Sequence, residues 1–507
     1  MTSVAKVFSV APFGFDGHLI EVESDASRGL PSFQIVGLGN KAIEEAKERV
    51  RSAIANSLLE FPAKRITINL APAELPKDGT HFDLPIALAI LTSSGQLRQE
   101  DTQNRVFAGE LALDGSIRPV RGAITIAETA KAAGLVQIFL PKATAAQASL
   151  VDGIEIIGVS SLRELFLHLK QELTISPTPS HSLPNNSLPT AGAPHLDDIQ
   201  GQDQAKRALT IAAAGHHNIL FTGPPGAGKT MLAKALASLL PPLTPQEQIA
   251  VTKLHSLAGE VVDAVVINRP YRSPHHTASR NAIIGGGNRP KPGEISLAHL
   301  GVLFLDEIPE YPRSALESLR QPLEDGKVTV SRMGGTAVFP ADFMLVATMN
   351  PCPCGYYGDP SHECTCTSTQ LINYQKKLSG PLLDRIDMII PVARVPHKLL
   401  INDKMSTDKQ HAYAQKTIKN AGEIQSNRYK SSNIYNGKLS SHEATKHLAL
   451  APSVRQFYES AAEKLNLSAR SYFKILKVAR TIADLEGAEA ITAGHLGEAL
   501  QYRAKSY

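Results

Sequence analysis

Apolar and polar positions follow three different rhythms along the chain. Over residues 1–172 short helical and strand-like stretches alternate, with the longest apolar run at residues 84–91. Residues 173–194, LTISPTPSHSLPNNSLPTAGAP, crowd Pro, Ser and Asn together without helical or strand period and read as a linker. The next stretch, HLDDIQGQDQAKRALTIAAAGHHNILFTGPPGAGKT, runs helix, strand, glycine loop, helix. Beyond about Val395 long polar helical stretches replace the strands. The pattern predicts an α/β multidomain chain: a first domain over residues 1–172, a linker over 173–194, an α/β core over 195–395 and a helical domain over 396–507. No internal repeat of roughly 20–50 residues is found.

Length and composition agree with this division, since 507 residues at about 150 per domain suggest three domains. The 43% hydrophobic content is enough for packed cores. A formal charge of +4 leans basic without choosing a partner, because a nucleic-acid surface needs only a local patch. Four cysteines and no charged-then-apolar leader predict a cytoplasmic protein rather than a secreted, disulfide-stapled one. No apolar run approaches the roughly 20 residues that span a bilayer, so no membrane association is expected.

The strongest chemistry lies in NILFTGPPGAGKT. An apolar strand runs into the full P-loop pattern, Gly223, Pro224, Pro225, Gly226, Ala227, Gly228, Lys229 and Thr230, and then into an Ala/Leu-rich helix. Backbone N–H groups and the helix N-terminus cradle phosphates, Lys229 reaches the outer ones, and the Thr230 hydroxyl coordinates Mg²⁺, which predicts ATP and Mg²⁺ as cofactors. In GVLFLDEIPE a buried strand delivers Asp306 and Glu307 at its end. Asp306 is expected to hold Mg²⁺ through water, and Glu307 to polarise the attacking water. A third strand, FMLVATMNP, ends at Asn350, placed to orient the same water. A helix cap at Asp306 and a turn at Asn350-Pro351 are the plainer readings, which the P-loop outweighs.

All the cysteines fall in one stretch, PCPCGYYGDPSHECTC: Cys352, Cys354, Cys364 and Cys366 within 15 positions. Four thiols beside a nucleotide sensor fit a tetrahedral zinc site better than disulfides. The nine intervening residues include Gly355, Gly358 and Pro360, which can fold one pair onto the other. Reduced thiols or a redox-sensitive cluster are the competing readings. His362, His275 and His276 are further candidate ligands, though neutral hydrogen-bonding roles are commoner for histidine.

These motifs carry a resemblance. Residues from about 197 to 392 resemble an AAA+ ATPase core of the branch that holds magnesium-chelatase subunits and minichromosome-maintenance helicases. The 77 positions from Lys229 to Asp306 include RPYRSPHHTASRNAIIGGGNRPKPGEISLAH, which resembles that branch's insertion in the second helix. GKVTVSRMGGTAVFPADF reads as two strands around a glycine turn and sits where the branch has its hairpin before sensor 1. GPLLDRIDMII resembles the arginine-finger segment and LSARSYFKILKVARTIADLEG the sensor-2 helix. The resemblance implies that Arg385 reaches a neighbouring subunit's γ-phosphate and Arg470 its own subunit's nucleotide.

In the first domain, PKDGTHFDLPIALAIL resembles the catalytic stretch of Lon-type proteases. Proteolysis there needs a serine and a lysine together, and on that register the two positions are His81 and Ile124. A Lon-like α/β domain without proteolysis is the expectation, with His81 structural. A Lon-like front, an AAA+ core with the insertion, and a helical lid domain together resemble the magnesium-chelatase-like family of bacterial competence proteins. The resemblance implies a homohexameric DNA helicase that drives branch migration when incoming single-stranded DNA recombines during natural transformation.

DNA contacts in such a ring need cations along the pore. The insertion offers Arg269, Arg272, Arg280, Arg289 and Lys291, and the hairpin Lys327 and Arg332. The alternative is a chelatase-type motor that remodels a protein partner. An ATP-dependent protease is disfavoured by the missing serine and lysine.

Overall fold

The computed structural model describes residues 4–37, 41–75, 77, 79–179, 194–260, 265–287, 290–332, 335–395, 409–431 and 434–503. The first two strands, Ala5–Phe13 and Asp16–Ser27, pair antiparallel from Ala5 opposite Ser24 to Phe13 opposite Asp16. Alternate residues Ala5 and Val7, and Ile20 and Val22, turn inward, the period of two that a covered sheet face imposes. They lie inside a seven-stranded mixed sheet, ordered Ser32–Val36, Arg65–Ala71, Asp16–Ser27, Ala5–Phe13, Arg105–Phe107, Gln137–Pro141 and Glu155–Val159. The apolar run at residues 84–91 is the middle of helix Asp83–Ser93, buried at every position from Asp83 to Thr92. A helix apolar on all faces has to lie within the core, and this one packs across the first two strands.

Part of the segment read as a linker is attached to this sheet. The Thr178 N–H donates to Ile156 O at 2.8 Å, which fixes it beside strand Glu155–Val159. Residues 180–193 of that segment lie outside the described residues.

The second sheet has five strands, all parallel, ordered Tyr271–Arg272, Val302–Leu305, Met344–Met349, Ile219–Thr222 and Met388–Pro391. Helices Asp203–Gly215 and Lys229–Leu239 pack in one core with the middle strands, and Phe221, Phe304 and Val346 are buried in it, so these strands read as continuous apolar runs. The register aligns Thr222 with Met349 and Leu305 with Ala347, so Gly223, Asp306 and Asn350 emerge together at the carboxyl edge.

Strands Lys327–Arg332 and Gly335–Pro340 form a two-stranded hairpin from Lys327 opposite Pro340 to Arg332 opposite Gly335. Val328, Val330, Ala337 and Phe339 are buried on one face, and Lys327, Thr329, Ser331, Thr336 and Val338 are exposed on the other. The turn of the first domain's long strand pair reaches it, with Phe15 N–H donating to Val338 O at 3.2 Å.

From residue 409 onward the described chain is helical. Ala414, Ile418 and Ala421, spaced four and three apart on helix Gln410–Tyr429, turn into the core that holds the P-loop helix. Buried Asp484 ties this region together, accepting from Arg428 at 2.9 Å, Arg480 at 3.0 Å and Asn436 at 2.8 Å. Removing one cation would leave that carboxylate underpaired, at a cost of about 3–5 kcal/mol.

Candidate nucleotide site and cysteine cluster

At the carboxyl edge of the parallel sheet the polar side chains bond to one another. The Lys229 ammonium donates to Gly223 O at 2.6 Å, Pro224 O at 2.9 Å and Asn350 Oδ1 at 3.0 Å. Burial pulls its pKa below the ordinary lysine range, and the charges of Asp306 and Glu307 oppose that shift. Gly223 leaves room for its neighbour strand, since a Cβ there would meet Val392 O at 2.1 Å. Asn350 reaches the other way as well, its amide donating to Glu307 Oε1 at 3.4 Å.

Thr348 organises the two acids. Its hydroxyl donates to Asp306 Oδ1 at 2.5 Å and accepts the Glu307 N–H at 2.9 Å. Glu307 takes a left-handed conformation with φ near 50°, strain that a side chain pays only where the surroundings enforce it. Thr230 Oγ1 lies 3.4 Å from Asp306 Oδ2, a hydroxyl and a carboxylate of the hard-oxygen type that Mg²⁺ takes. Sequence reading passed over Thr348, although a hydroxyl inside the otherwise apolar MLVATM strand was the available signal.

Two residues beyond Asn350 the four cysteines gather. Their Sγ atoms all lie within 4.8 Å of one another, with Cys352–Cys354 at 3.3 Å, Cys352–Cys364 at 3.7 Å and Cys354–Cys364 at 3.6 Å. A tetrahedron with Zn–S bonds of about 2.3 Å has edges of about 3.8 Å, so the set fits zinc. The Tyr357 N–H points to Cys352 Sγ at 3.3 Å, and backbone contacts led by Tyr356 bring the Cys354 thiol down to about 6. The loop sits on the P-loop: a Cβ on Gly355, at φ 86°, would meet the Pro225 ring at 2.7 Å. His362 belongs to a stack instead, 4.9 Å from the Tyr356 ring, with Arg394 above that ring at 5.4 Å. His275 bonds Thr277 at 2.8 Å and packs on His276, and neither joins the thiols.

Arg385 and Arg470 occupy the opposite, amino edge of the sheet. Asp387 N–H donates to Asn218 O at 2.9 Å and Met388 aligns with Ile219, which places Arg385 before the strands begin. Arg470 bonds Glu324 at 2.8 Å, and the same carboxylate bonds Arg385. The sequence reading put Arg470 at its own subunit's nucleotide, and the structure places it at the amino edge, bonded to Glu324. Its helix, Ala469–Leu485, starts beside Arg385 and not beside the P-loop.

With this geometry in place, comparison with known proteins adds the lineage. The family described as "Magnesium chelatase, subunit ChlI" matches residues 195–400. "Subunit ChlI of Mg-chelatase" matches 22–144, and "Magnesium chelatase, subunit ChlI C-terminal" matches 408–503. Competence protein ComM of Haemophilus influenzae is 45% identical over 510 aligned positions, which cover 99% of this chain and 98% of that protein. The chain belongs to the ComM/YifB family of magnesium-chelatase-like AAA+ proteins. YifB of Escherichia coli is 40% identical over 99% of this chain and 97% of its own length. A magnesium-chelatase 67 kDa subunit of Chlorobaculum parvum is 32% identical over 30% of this chain and 23% of its own. Membership in the ComM/YifB family implies an ATPase that uses ATP and Mg²⁺ at the P-loop.

Several basic residues expected to meet DNA are committed elsewhere. Arg269 is buried, bonded to Pro241 O at 2.5 Å and Leu300 O at 2.6 Å, with Glu247 at 3.5 Å. Arg272 bonds Glu294 at 2.7 and 2.8 Å and Glu260 at 3.1 and 3.0 Å. These guanidinium groups brace the segment between Glu260 and Leu300. Arg280 and Lys291 are exposed, Arg289 lies outside the described residues, and Lys327 stands exposed at the hairpin base with Arg332 at its tip. Among the described residues no helix is long and apolar enough to cross a membrane.

Proposed function

We propose that this chain is an ATP-driven DNA translocase that works as a homohexameric ring in the cytoplasm and drives branch migration of recombining DNA. The observation that carries the reading is one continuous path. Hairpin strand Gly335–Pro340 passes through residues 341–343 into strand Met344–Met349, and the next residue, Asn350, touches both Lys229 and Glu307. Occupation of the γ-phosphate position moves Asn350, and the hairpin shares its backbone. The hairpin's outer face offers Lys327 with the hydroxyls of Thr329, Ser331 and Thr336, groups that bond phosphate oxygens without reading bases. Sequence reading weighed only the cations. The likeness to a protein named for competence supports a role in natural transformation.

The first domain serves assembly or DNA positioning rather than proteolysis. At the two Lon positions, His81 is buried with Nε2 3.1 Å from Val10 O, and Ile124 is fully buried. The thiol cluster holds one structural zinc per chain beside the P-loop. Metal analysis of protein purified without chelators tests this, and Cys352→Ser with Cys354→Ser is expected to lose the metal and lower the melting temperature.

ATPase rate with and without single-stranded, duplex and four-way-junction DNA tests the translocase. DNA is expected to raise turnover, single strands at least as well as duplex, with an effect that falls steeply as salt rises. Lys327→Ala with Arg332→Ala is expected to cut DNA stimulation and spare basal turnover. No binding at low salt and no stimulation would favour the second reading, a chelatase-type motor acting on a protein partner. The internal pairing of Arg269 and Arg272 is the observation on that side.

A further inference from the structure

The helix Arg320–Asp325 carries a carboxylate that both amino-edge arginines share. Glu324 is half exposed, and each oxygen takes one guanidinium: Oε2 that of Arg385, Oε1 that of Arg470 at 2.8 Å. Arg385 is engaged at all three nitrogens. Nε donates to Arg320 O at 2.9 Å, Nη1 to Pro381 O at 2.6 Å, and Nη2 to Glu324. Its side chain is only 10% exposed, against 45% for Arg470. Three of its five N–H donors are taken and the group is almost fully buried, so turning it out to a phosphate on another chain means giving up a partner. The two carbonyls are fixed backbone, so the bond that can open is the one to Glu324, on a half-exposed and flexible side chain.

We propose that Glu324 is a parking residue: it holds Arg385 and Arg470 off a neighbouring subunit until that subunit's ATP takes them. The carboxylate thereby sets the concentration at which chains assemble on ATP. The inference rests on the reading of Arg385 as reaching a neighbouring subunit's γ-phosphate, and extends it to Arg470, which shares the same carboxylate. A triphosphate carries more charge than one carboxylate and bonds arginine by the same charge-assisted geometry, so it displaces Glu324 when a loaded neighbour arrives. An empty neighbour offers nothing in exchange, and the arginines stay parked. The helix then ends at Gly326 and Lys327 opens the hairpin, so release is felt three residues from the proposed DNA grip.

Sedimentation velocity of the full chain over a concentration series, with a slowly hydrolysed ATP analogue and Mg²⁺, tests the proposal. Glu324→Gln keeps the shape and removes the charge. It is expected to lower the assembly midpoint about three- to tenfold, the loss of two ion pairs of surface strength. Glu324→Asp keeps the charge and is expected to stay near wild type. In an Arg385→Ala/Arg470→Ala background Glu324→Gln is expected to shift nothing, which separates parking from a structural role. An unmoved or raised midpoint for Glu324→Gln, at a wild-type melting temperature, overturns the proposal. A shift that persists without the arginines overturns it too. If the double-arginine variant hydrolyses ATP at the wild-type rate, the reading beneath the proposal has failed, whatever Glu324 does.

Discussion

The two edges of the parallel sheet, about 13 Å apart along four-residue strands, hold opposite chemistries. At the carboxyl edge a lysine, two acids, a threonine and an asparagine bond to one another, with Lys229 and Thr348 buried and Glu307 exposed. At the amino edge two long arginines converge on one half-exposed carboxylate. The first arrangement is pre-organised, because strand register and backbone carbonyls fix it. In the second the bonds to half-exposed Glu324 join side chain to side chain, and these rearrange at little cost. Under the proposed function the carboxyl edge activates water and the amino edge neutralises charge, and phosphoryl transfer needs both. On that reading a second chain, stacked head to tail, would bring them together, and such a contact closes into a ring or winds into a filament.

The largest effect separating the edges is expected at the carboxyl one. Lys229→Ala removes a phosphate contact and is expected to abolish nucleotide binding, whereas Glu307→Gln is expected to bind ATP and stall before hydrolysis. Equal binding defects in a fluorescent-nucleotide titration would break the assignment. Thr348→Val is the next step down. It leaves the Glu307 N–H without its acceptor and Asp306 Oδ1 without the Thr348 donor, so turnover is expected to fall about tenfold to a hundredfold with near-normal ATP affinity, and stability by about 1–3 kcal/mol. Steady-state kinetics and thermal melts measure both.

The smallest effect belongs to the amino edge. His299 precedes strand Val302–Leu305, and its Nδ1 accepts the Asp342 N–H at 3.1 Å. Burial, the leading cause, holds its pKa near 4 against 6.5 for an unperturbed histidine. Between those values only the unfolded chain takes up the proton, so stability falls as pH drops through that window, by at most about 3 kcal/mol. Melting temperatures at pH 7 and pH 5 are expected to differ less in His299→Gln than in wild type. An equal drop in both would assign the acid sensitivity elsewhere.

The carboxyl edge was the more legible in sequence. Its P-loop is contiguous, and Asp306, Glu307 and Asn350 each follow an apolar run, so strand ends alone bring them near one another. Thr348 was missed because its role depends on the register of Leu305 against Ala347, which pairs residues far apart in the chain. The same limit applies to Arg272, whose partners Glu260 and Glu294 lie 12 and 22 residues away. A run of arginines among glycines reads as a basic patch until those carboxylates are located. The side of the sheet on which Arg470 falls depends on how the C-terminal helices dock, and helix periodicity carries no such information. The hairpin is the intermediate case. Its glycine turn was readable, as was the distance from Lys327 at the base to Arg332 at the tip, but not its contact with the turn at Phe15.

The claim that two chains complete one site has a direct test in mixed subunits. Lys229→Ala chains keep the arginines and Arg385→Ala chains keep the nucleotide edge, and neither alone is expected to hydrolyse ATP. In a one-to-one mixture about a quarter of head-to-tail interfaces pair an intact P-loop with an intact Arg385, so about a quarter of wild-type turnover is expected. Turnover at no mixing ratio, from variants that bind as expected and co-assemble, would contradict the account.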